Sequence, residues 1–336
     1  MNPPPFARSA HLLKINERRT DVSLGLASVR DFTVSYVDSV VTKFHMDGSI
    51  IYCCDIDSER VWYTLVERPA ETLAAPFLFQ AQRQHAVAIL SLPWELLPVR
   101  EQFPDPQPVF VFSVGRCGST LLAALLKAVG RGSVSEPDFL TQLAALNPTE
   151  RRRIGTRAIH TIISAGTASL ARLCGRRAVV KLRHHCNKIW GELATAVPGC
   201  RIVFMLRDRL SWARSRHRAF GDSAEVIASL LRDGVETLDQ MIRAGAHPQV
   251  LWYEDLVADP TGTLRLLDLE QDGLGPIDAD AVQEVLRHDA QQGTGIGRTD
   301  LDVRPSEKTC LSKFDALWER LAPRELIAKH GLDRLL

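Results

Sequence analysis

The six residues Gly115-Arg116-Cys117-Gly118-Ser119-Thr120 bring two glycines, a cation and two hydroxyls together, a composition suited to gripping a phosphate. Gly115 and Gly118 allow the sharp turn that aims successive backbone N–H groups at one point. The opening turn of a following helix would add unpaired donors and a partial positive charge. Arg116 contributes a permanent charge with a planar fork of donors, and Ser119 and Thr120 can each donate once more. A strand-to-helix turn capped by Ser119 would use the same glycines and serine, so it is Arg116 that favours an anion. A nucleoside-triphosphatase loop would read GxxxxGK[ST]; here Gly118 stands directly before Ser119, with no lysine between them. With no clear acidic strand end to hold magnesium either, a user of ATP or GTP is disfavoured.

Other residues invite chemistry. Arg207 ends an apolar run that begins at Arg201, and Ser215 follows at 215 − 207 = 8 residues, two helical turns on. Both could converge on one phosphate at the carboxyl edge of a sheet, whereas an arginine-rich helix without such a strand before it is usually a solvated face. Glu136, in Val134-Ser135-Glu136-Pro137, offers a carboxylate able to accept a proton, or else a surface charge or an ion-pair partner for Arg116. Lys181 follows the apolar Ala178–Val180, and His184 and His185 stand just after it. Histidine is a ready base near neutrality, although paired histidines at a strand end often satisfy backbone groups instead.

These residues need a sheet edge to hold them. Val109–Val114, Ala178–Leu182, Arg201–Leu206 and Val250–Tyr253 are short apolar runs, each followed by a helical pattern. Such runs suit strands buried on both faces of a parallel sheet, and the expected fold is α/β, a P-loop-like parallel sheet flanked by helices. Asn147-Pro148-Thr149-Glu150 reads as a helix start, and Ile159, Ile162, Ile163 and Leu170 continue at helical spacing. Upstream the pattern changes. Phe32–Val37 and Ala86–Leu92 read as strands, and Asp47-Gly48 as a hairpin turn between Val40–Met46 and Ser49–Cys54. Three prolines within Phe103–Pro108 then interrupt regular structure. We therefore expect a smaller β-rich region over 1–108, of unassigned role, and an α/β domain over 109–336.

Composition bounds the function. A chain of 336 residues, 45% hydrophobic and 24% charged, can bury a full core. A net charge of +1 gives no strong general field for nucleic acid or anionic membrane, so an anionic ligand must meet a local site. No apolar stretch approaches the ~20 residues of a membrane span, and no secretory signal is read at the N-terminus. Seven cysteines without CxxC spacing suggest neither a zinc site nor a disulfide framework. A cytoplasmic location is the expectation.

Arg116-Cys117-Gly118-Ser119-Thr120-Leu121-Leu122 resembles the phosphosulfate loop of the sulfotransferase family, in particular its bacterial and tyrosylprotein-type members, which read RSGTTLL; cysteine and serine are departures. Arg201–Ser215 is similar to that family's 3′-phosphate segment, and Trp252–Pro260 to its YEDL segment, where Asp259 would cap the helix that Pro260 opens and Tyr253 serves the core or lines the nucleotide site. The resemblance runs from Val109 to Leu267, with Gly293–Arg298 in the region of a late nucleotide-covering segment or simply a flexible glycine loop. It implies the sulfotransferase fold and the donor 3′-phosphoadenosine 5′-phosphosulfate. Gly115, Arg116, Cys117, Gly118, Ser119 and Thr120 would hold its 5′ end, and Arg207 and Ser215 its 3′-phosphate. Arg116 would also steady developing charge. The resemblance further places Glu136, 136 − 116 = 20 residues beyond Arg116, as base, Lys181 beside the leaving group and His184 as a rival base. No metal is demanded, because arginine and lysine can carry the developing charge.

The expected activity is sulfuryl transfer to a hydroxyl or amine of a small-molecule acceptor. A catalytically silent nucleotide-binding module on the same fold, or an atypical P-loop kinase, remains as an alternative. Residues 1–108 could shape the acceptor pocket, mediate homodimerisation, or do neither.

Overall fold

A computed structural model of the chain describes residues 9–19, 26–40, 48–97, 106–267, 277–288 and 303–336, with no side-chain description at 39 and 40. The first five strands are β1 (Ala10–Arg18), β2 (Phe32–Val40), β3 (Ser49–Asp55), β4 (Arg60–Val66) and β5 (Ala86–Pro93). They form an antiparallel sheet of order β2-β1-β5-β4-β3. β2 and β5 fulfil the sequence expectation. Residues 41–47, the first arm and the Asp47 of the expected hairpin, lie outside the described residues, and β3 pairs instead with β4. Two short helices, α1 (Pro69–Leu73) and α2 (Leu78–His85), connect β4 to β5. The buried Gln82 of α2 donates through Nε2 to Ile51 O at 3.0 Å and to Thr64 Oγ1 at 2.9 Å, so these two polar groups of β3 and β4 are paired in the core.

The chain continues with β6 (Val109–Ser113), α3 (Ser119–Ala128), β7 (Ser133–Ser135), α4 (Asp138–Ala145), α5 (Pro148–Ile154), α6 (Thr156–Cys174) and β8 (Val179–Lys181). After a 3-10 turn at His184–Ile189 come α7 (Trp190–Ala196), β9 (Arg201–Leu206), α8 (Arg209–Phe220), α9 (Ala224–Arg243) and β10 (Gln249–Trp252). Helices α10 (Tyr253–Ala258), α11 (Pro260–Leu266), α12 (Ala279–Arg287), α13 (Glu307–Leu321) and α14 (Arg324–Lys329) complete it. The fold is α/β: besides the antiparallel sheet the chain forms a five-stranded parallel sheet of order β10-β9-β6-β8-β7.

The four apolar runs are β6, β8, β9 and β10, and β6 is buried at every residue, as a strand covered on both faces requires. The ends of three shift by one residue: β6 stops at Ser113, β8 keeps only Val179–Lys181, and β10 is Gln249–Trp252. Tyr253 opens α10 rather than ending β10. β7 was not expected, since Ser-Val-Ser is too short and polar to show a period; its pairing Ser133↔Val179 to Ser135↔Lys181 defines it. Asn147 caps α5 in a reciprocal box with Glu150, and Asp259 caps α11 through Gly262 N, both as read from sequence.

The chain divides into two compact units, Met1–Phe110 with Gly132–Arg201, and Val111–Arg131 with Ile202–Leu336. In the first, α6 crosses α4 and β3 so closely that a Cβ at Gly166 would lie 2.5 Å from Phe139 Cζ and 3.1 Å from Ile51 Cδ1. The N-terminal antiparallel sheet thus shares a core with residues from the middle of the chain. In the second, α9 lies over the end of β6, where a Cβ at Gly234 would fall 2.1 Å from Val114 Cγ1.

Candidate functional site

In the second unit, β6 delivers a turn in which Gly115, Arg116 and Gly118 take φ of +75°, +60° and +81°. A left-handed arginine costs roughly 1–2 kcal/mol, so the conformation persists only where neighbours over-determine it. Trp212, fully buried on α8, donates Nε1–H to Gly115 O at 2.7 Å, and Ser113 Oγ accepts from Gly115 N at 3.2 Å. Gly118, not Ser119, is the N-cap of α3, so the N-cap residue itself offers no side chain to the helix. The N-terminus of α3, with its partial positive charge, thus opens directly from the glycine turn.

The same unit brings Arg116, Ser215 and Arg207 together. Arg116 Nε donates to Ser215 Oγ at 3.1 Å, and Arg207 Nη1 approaches Arg116 O at 3.5 Å. The Arg207 guanidinium lies 4.3 Å from the Tyr253 ring centroid, within cation–π range. Tyr253 is only partly buried and also abuts Gly118, where a Cβ would stand 2.3 Å from its Cδ2. It belongs to the loop's surroundings rather than to the core. Arg207 Nε is buried without a hydrogen-bond partner, and the nearest carboxylate, Glu254, stands 4.0 Å away while accepting Asp208 N. Cys117 is buried and its thiol lies 3.4 Å from Gly115 O; burial pushes its pKa up to about 12, so it contributes backbone rather than thiolate.

The first unit holds a second cluster. Glu136 sits at φ +56° just beyond β7, its N–H bonded to Lys181 O at 2.8 Å. Its carboxylate accepts from Lys181 Nζ at 2.6 Å and from Arg183 Nε at 3.0 Å, so these two cations, one on β8 and one beyond it, are its ion-pair partners. Burial alone would raise the Glu136 pKa, but Lys181 and Arg183 together hold it below the ordinary carboxylate value. Asp138 Oδ1 lies 3.3 Å from the same Arg183 Nε, and its Oδ2 accepts from Ala27 N. Burial raises Asp138 to about 6 against the pull of Arg183. Aromatic faces support the cations: Phe77 lies 5.6 Å from Lys181 Nζ, and Phe79 is flanked by Arg183 at 4.6 Å and Arg83 at 5.6 Å. His184 opens the 3-10 turn with its ring 4.0 Å from that of His185.

Sequence reasoning assigned no role to Arg183, Asp138, Trp212, Phe77 or Phe79. Asp138 stood two residues beyond Glu136 and Arg183 two beyond Lys181, which was the available signal; the phenylalanines, some sixty residues upstream, had none. Gly293–Arg298 lies outside the described residues. Among the described residues no helix is long and apolar enough to cross a membrane, and no three His, Cys, Asp or Glu gather as a metal cluster.

No protein-family model and no curated protein matches the chain. Solved structures do. Two that resemble it are sulfotransferases. That of Mycobacterium avium is similar over 66% of this chain and 79% of its own, at 13% identity and a TM-score of 0.40. That of Mycobacterium tuberculosis H37Rv is similar over 68% and 80%, at 15% identity and a TM-score of 0.39. A retinol dehydratase, solved with androsterone and the inactive cofactor PAP, is similar over 71% and 82%, at 15% identity and a TM-score of 0.32.

Proposed function

We propose that this chain is a sulfotransferase that takes its sulfuryl group from 3′-phosphoadenosine 5′-phosphosulfate and passes it to a hydroxyl or amine of a small molecule. The observation that carries the reading is the gathering of the glycine turn at the start of α3, Arg116, Ser215 and Arg207 in one unit. Its residues fit a doubly anionic nucleotide. The α3 N-terminus and the left-handed turn would form an anion cradle, and the buried Arg207 Nε, whose nearest carboxylate is Glu254 at 4.0 Å, would gain a hydrogen bond from a phosphate.

When bound, the donor would supply a sulfuryl group whose S–O bond to the 5′-phosphate breaks as sulfur bonds to the acceptor, the electron pair leaving on the phosphate oxygen. Gly115, Arg116, Cys117, Gly118, Ser119 and Thr120 would hold the 5′ end, the cysteine through backbone alone. Arg207 would take the 3′-phosphate with Ser215, whose Oγ already accepts from Arg116 and keeps its own proton to donate. Lys181 would neutralise the leaving oxygen and Glu136 would accept the acceptor's proton, with His184 as the rival base. Because arginine and lysine carry the charge, no metal is required by this scheme. A catalytically silent nucleotide binder is the second reading, favoured by the two cations that already occupy Glu136.

Calorimetry with 3′-phosphoadenosine 5′-phosphate and with ATP tests the donor. Wild type should prefer the former, and Arg207→Ala should lose about 1.5–3 kcal/mol of that binding, the worth of a hydrogen bond to a charged group, removing most of the preference. Equal binding of both nucleotides by wild type rejects the assignment. Glu136→Gln should keep nucleotide binding and lose transfer; retained transfer would exclude Glu136 as the base, and the absence of transfer by the wild-type protein across hydroxyl and amine acceptors would favour the silent module. Magnesium-dependent phosphate transfer from ATP would instead mark a kinase.

A further inference from the structure

One N–H in the Glu136 cluster has two claimants. Arg183 Nε donates to Glu136 Oε2 at 3.0 Å, while Asp138 Oδ1 waits 3.3 Å from the same nitrogen, buried and with no hydrogen bond of its own. Asp138 Oδ2 is already bonded to Ala27 N, which pins the carboxyl in place. The Arg183 guanidinium rests on the Phe79 ring at 4.6 Å, a flat support over which it can shift without losing its apolar contact. Glu136, in turn, is held through Oε1 by Lys181 Nζ at 2.6 Å, so its carboxylate has little freedom to follow.

We propose that Asp138 and Glu136 compete for Arg183 Nε–H, and that Arg183 is a positioning residue whose transfer to Asp138 releases Glu136 to take the acceptor's proton. The role of Glu136 as base rests on the sulfotransferase reading; the competition itself does not. Two cations on one carboxylate make a weak base, because each stabilises the ionised form that proton uptake must destroy. Moving one of them to a neighbouring carboxylate restores proton affinity without moving the base. The state of Asp138 sets the balance, since only its ionised form competes strongly for a charged donor. Burial brings that ionisation up to about pH 6, so the exchange should occur in the physiological range.

Other charges around the pair, among the described residues, are Lys181 from β8, Arg83 from α2 and Asp31 from the turn before β2. Arg83 shares the Phe79 ring with Arg183, and Asp31 pairs with Arg83 and accepts from Tyr52. Cys53 and Cys186 are also nearby, both with raised pKa values through burial, so neither is charged near pH 6.

The test is a 13C NMR titration of the Glu136 side-chain carboxyl in the nucleotide-free protein, assigned by difference from Glu136→Gln. In wild type the Glu136 signal should show its own inflection below the ordinary carboxylate range and a second one near pH 6. Asp138→Asn, which keeps the acceptor for Ala27 N, should abolish the second inflection. Arg183→Met should abolish it too and move the first one upward, with amide spectra confirming the fold; Arg183→Lys, which retains a cation, should shift the first inflection less. A wild-type signal with a single inflection, or a second inflection that survives Asp138→Asn, overturns the proposal. Failure of nucleotide binding with the NMR result intact would sink the sulfotransferase reading alone.

Discussion

Glu136 and Asp138 lie two residues apart, yet the fold moves their proton affinities in opposite directions. Glu136 is depressed because Lys181 and Arg183 outweigh its burial, while Asp138 is raised because burial outweighs Arg183. The consequences for stability have opposite sign. The Glu136 contribution is present above its unfolded pKa and is lost as pH falls through the lower folded value. The Asp138 contribution is present below its unfolded pKa and is lost as pH rises through about 6. Denaturation midpoints of Asp138→Asn should therefore lack the decline that wild type shows between about pH 4 and 6, and Glu136→Gln should lose stability near neutrality and little at low pH. A wild-type profile flat across that range would show that the two groups are not perturbed as described.

At the scale of elements, the Gly115–Gly118 turn depends on a close approach between α3 and α10. Gly118 must be left-handed, at φ +81°, and must leave room for the Tyr253 ring. Gly118→Ala should cost about 1–2 kcal/mol for the conformation and about 1–3 kcal/mol for the overlap, read as a drop in the urea midpoint. Adding Tyr253→Ala should restore the second part and leave the first. If the double variant is no more stable than Gly118→Ala, the ring is not the obstacle. The elements themselves were largely legible. β6, β8 and β9 announced themselves as apolar runs, and α5 and α11 through Asn147 and Asp259, because burial on both faces and helix capping leave local marks. β7 left none, since three residues become a strand only when β8 lies beside them.

On the whole-molecule scale, basic and acidic residues number 41 and 40, so attraction for an anion has to be local rather than global. The end of the chain shows how such local charge also holds the fold. Asp239 of α9 accepts from His330 at 2.9 Å and Lys329 at 3.1 Å and pairs with Arg243 at 2.6 Å. The bond from His330, aided by Lys329 and Arg243 against burial, lowers Asp239 to about 2. Stability from this cluster is present above the ordinary carboxylate pKa and lost as pH falls towards 2. Asp239→Asn should therefore free α14 first, seen as faster proteolysis within 324–336 at neutral pH while the rest of the chain keeps its resistance. Unchanged proteolysis would mean that Trp318 Nε1–H on Leu335 O and the apolar contacts suffice to hold the end.

The amino-acid order alone determined that a buried strand would run into a glycine turn bearing Arg116, and that Arg207 and Ser215 would follow another strand two helical turns apart. Those features are set by interactions within a few residues. Only the tertiary structure decided that Ser215 receives Arg116, that Tyr253 lies beneath Arg207, and that Glu136 and Asp138 share one N–H of Arg183. Each of these contacts joins residues about 45 to 100 positions apart. Their geometry exists only after helices and strands have packed, because burial, not sequence spacing, chooses which charge meets which.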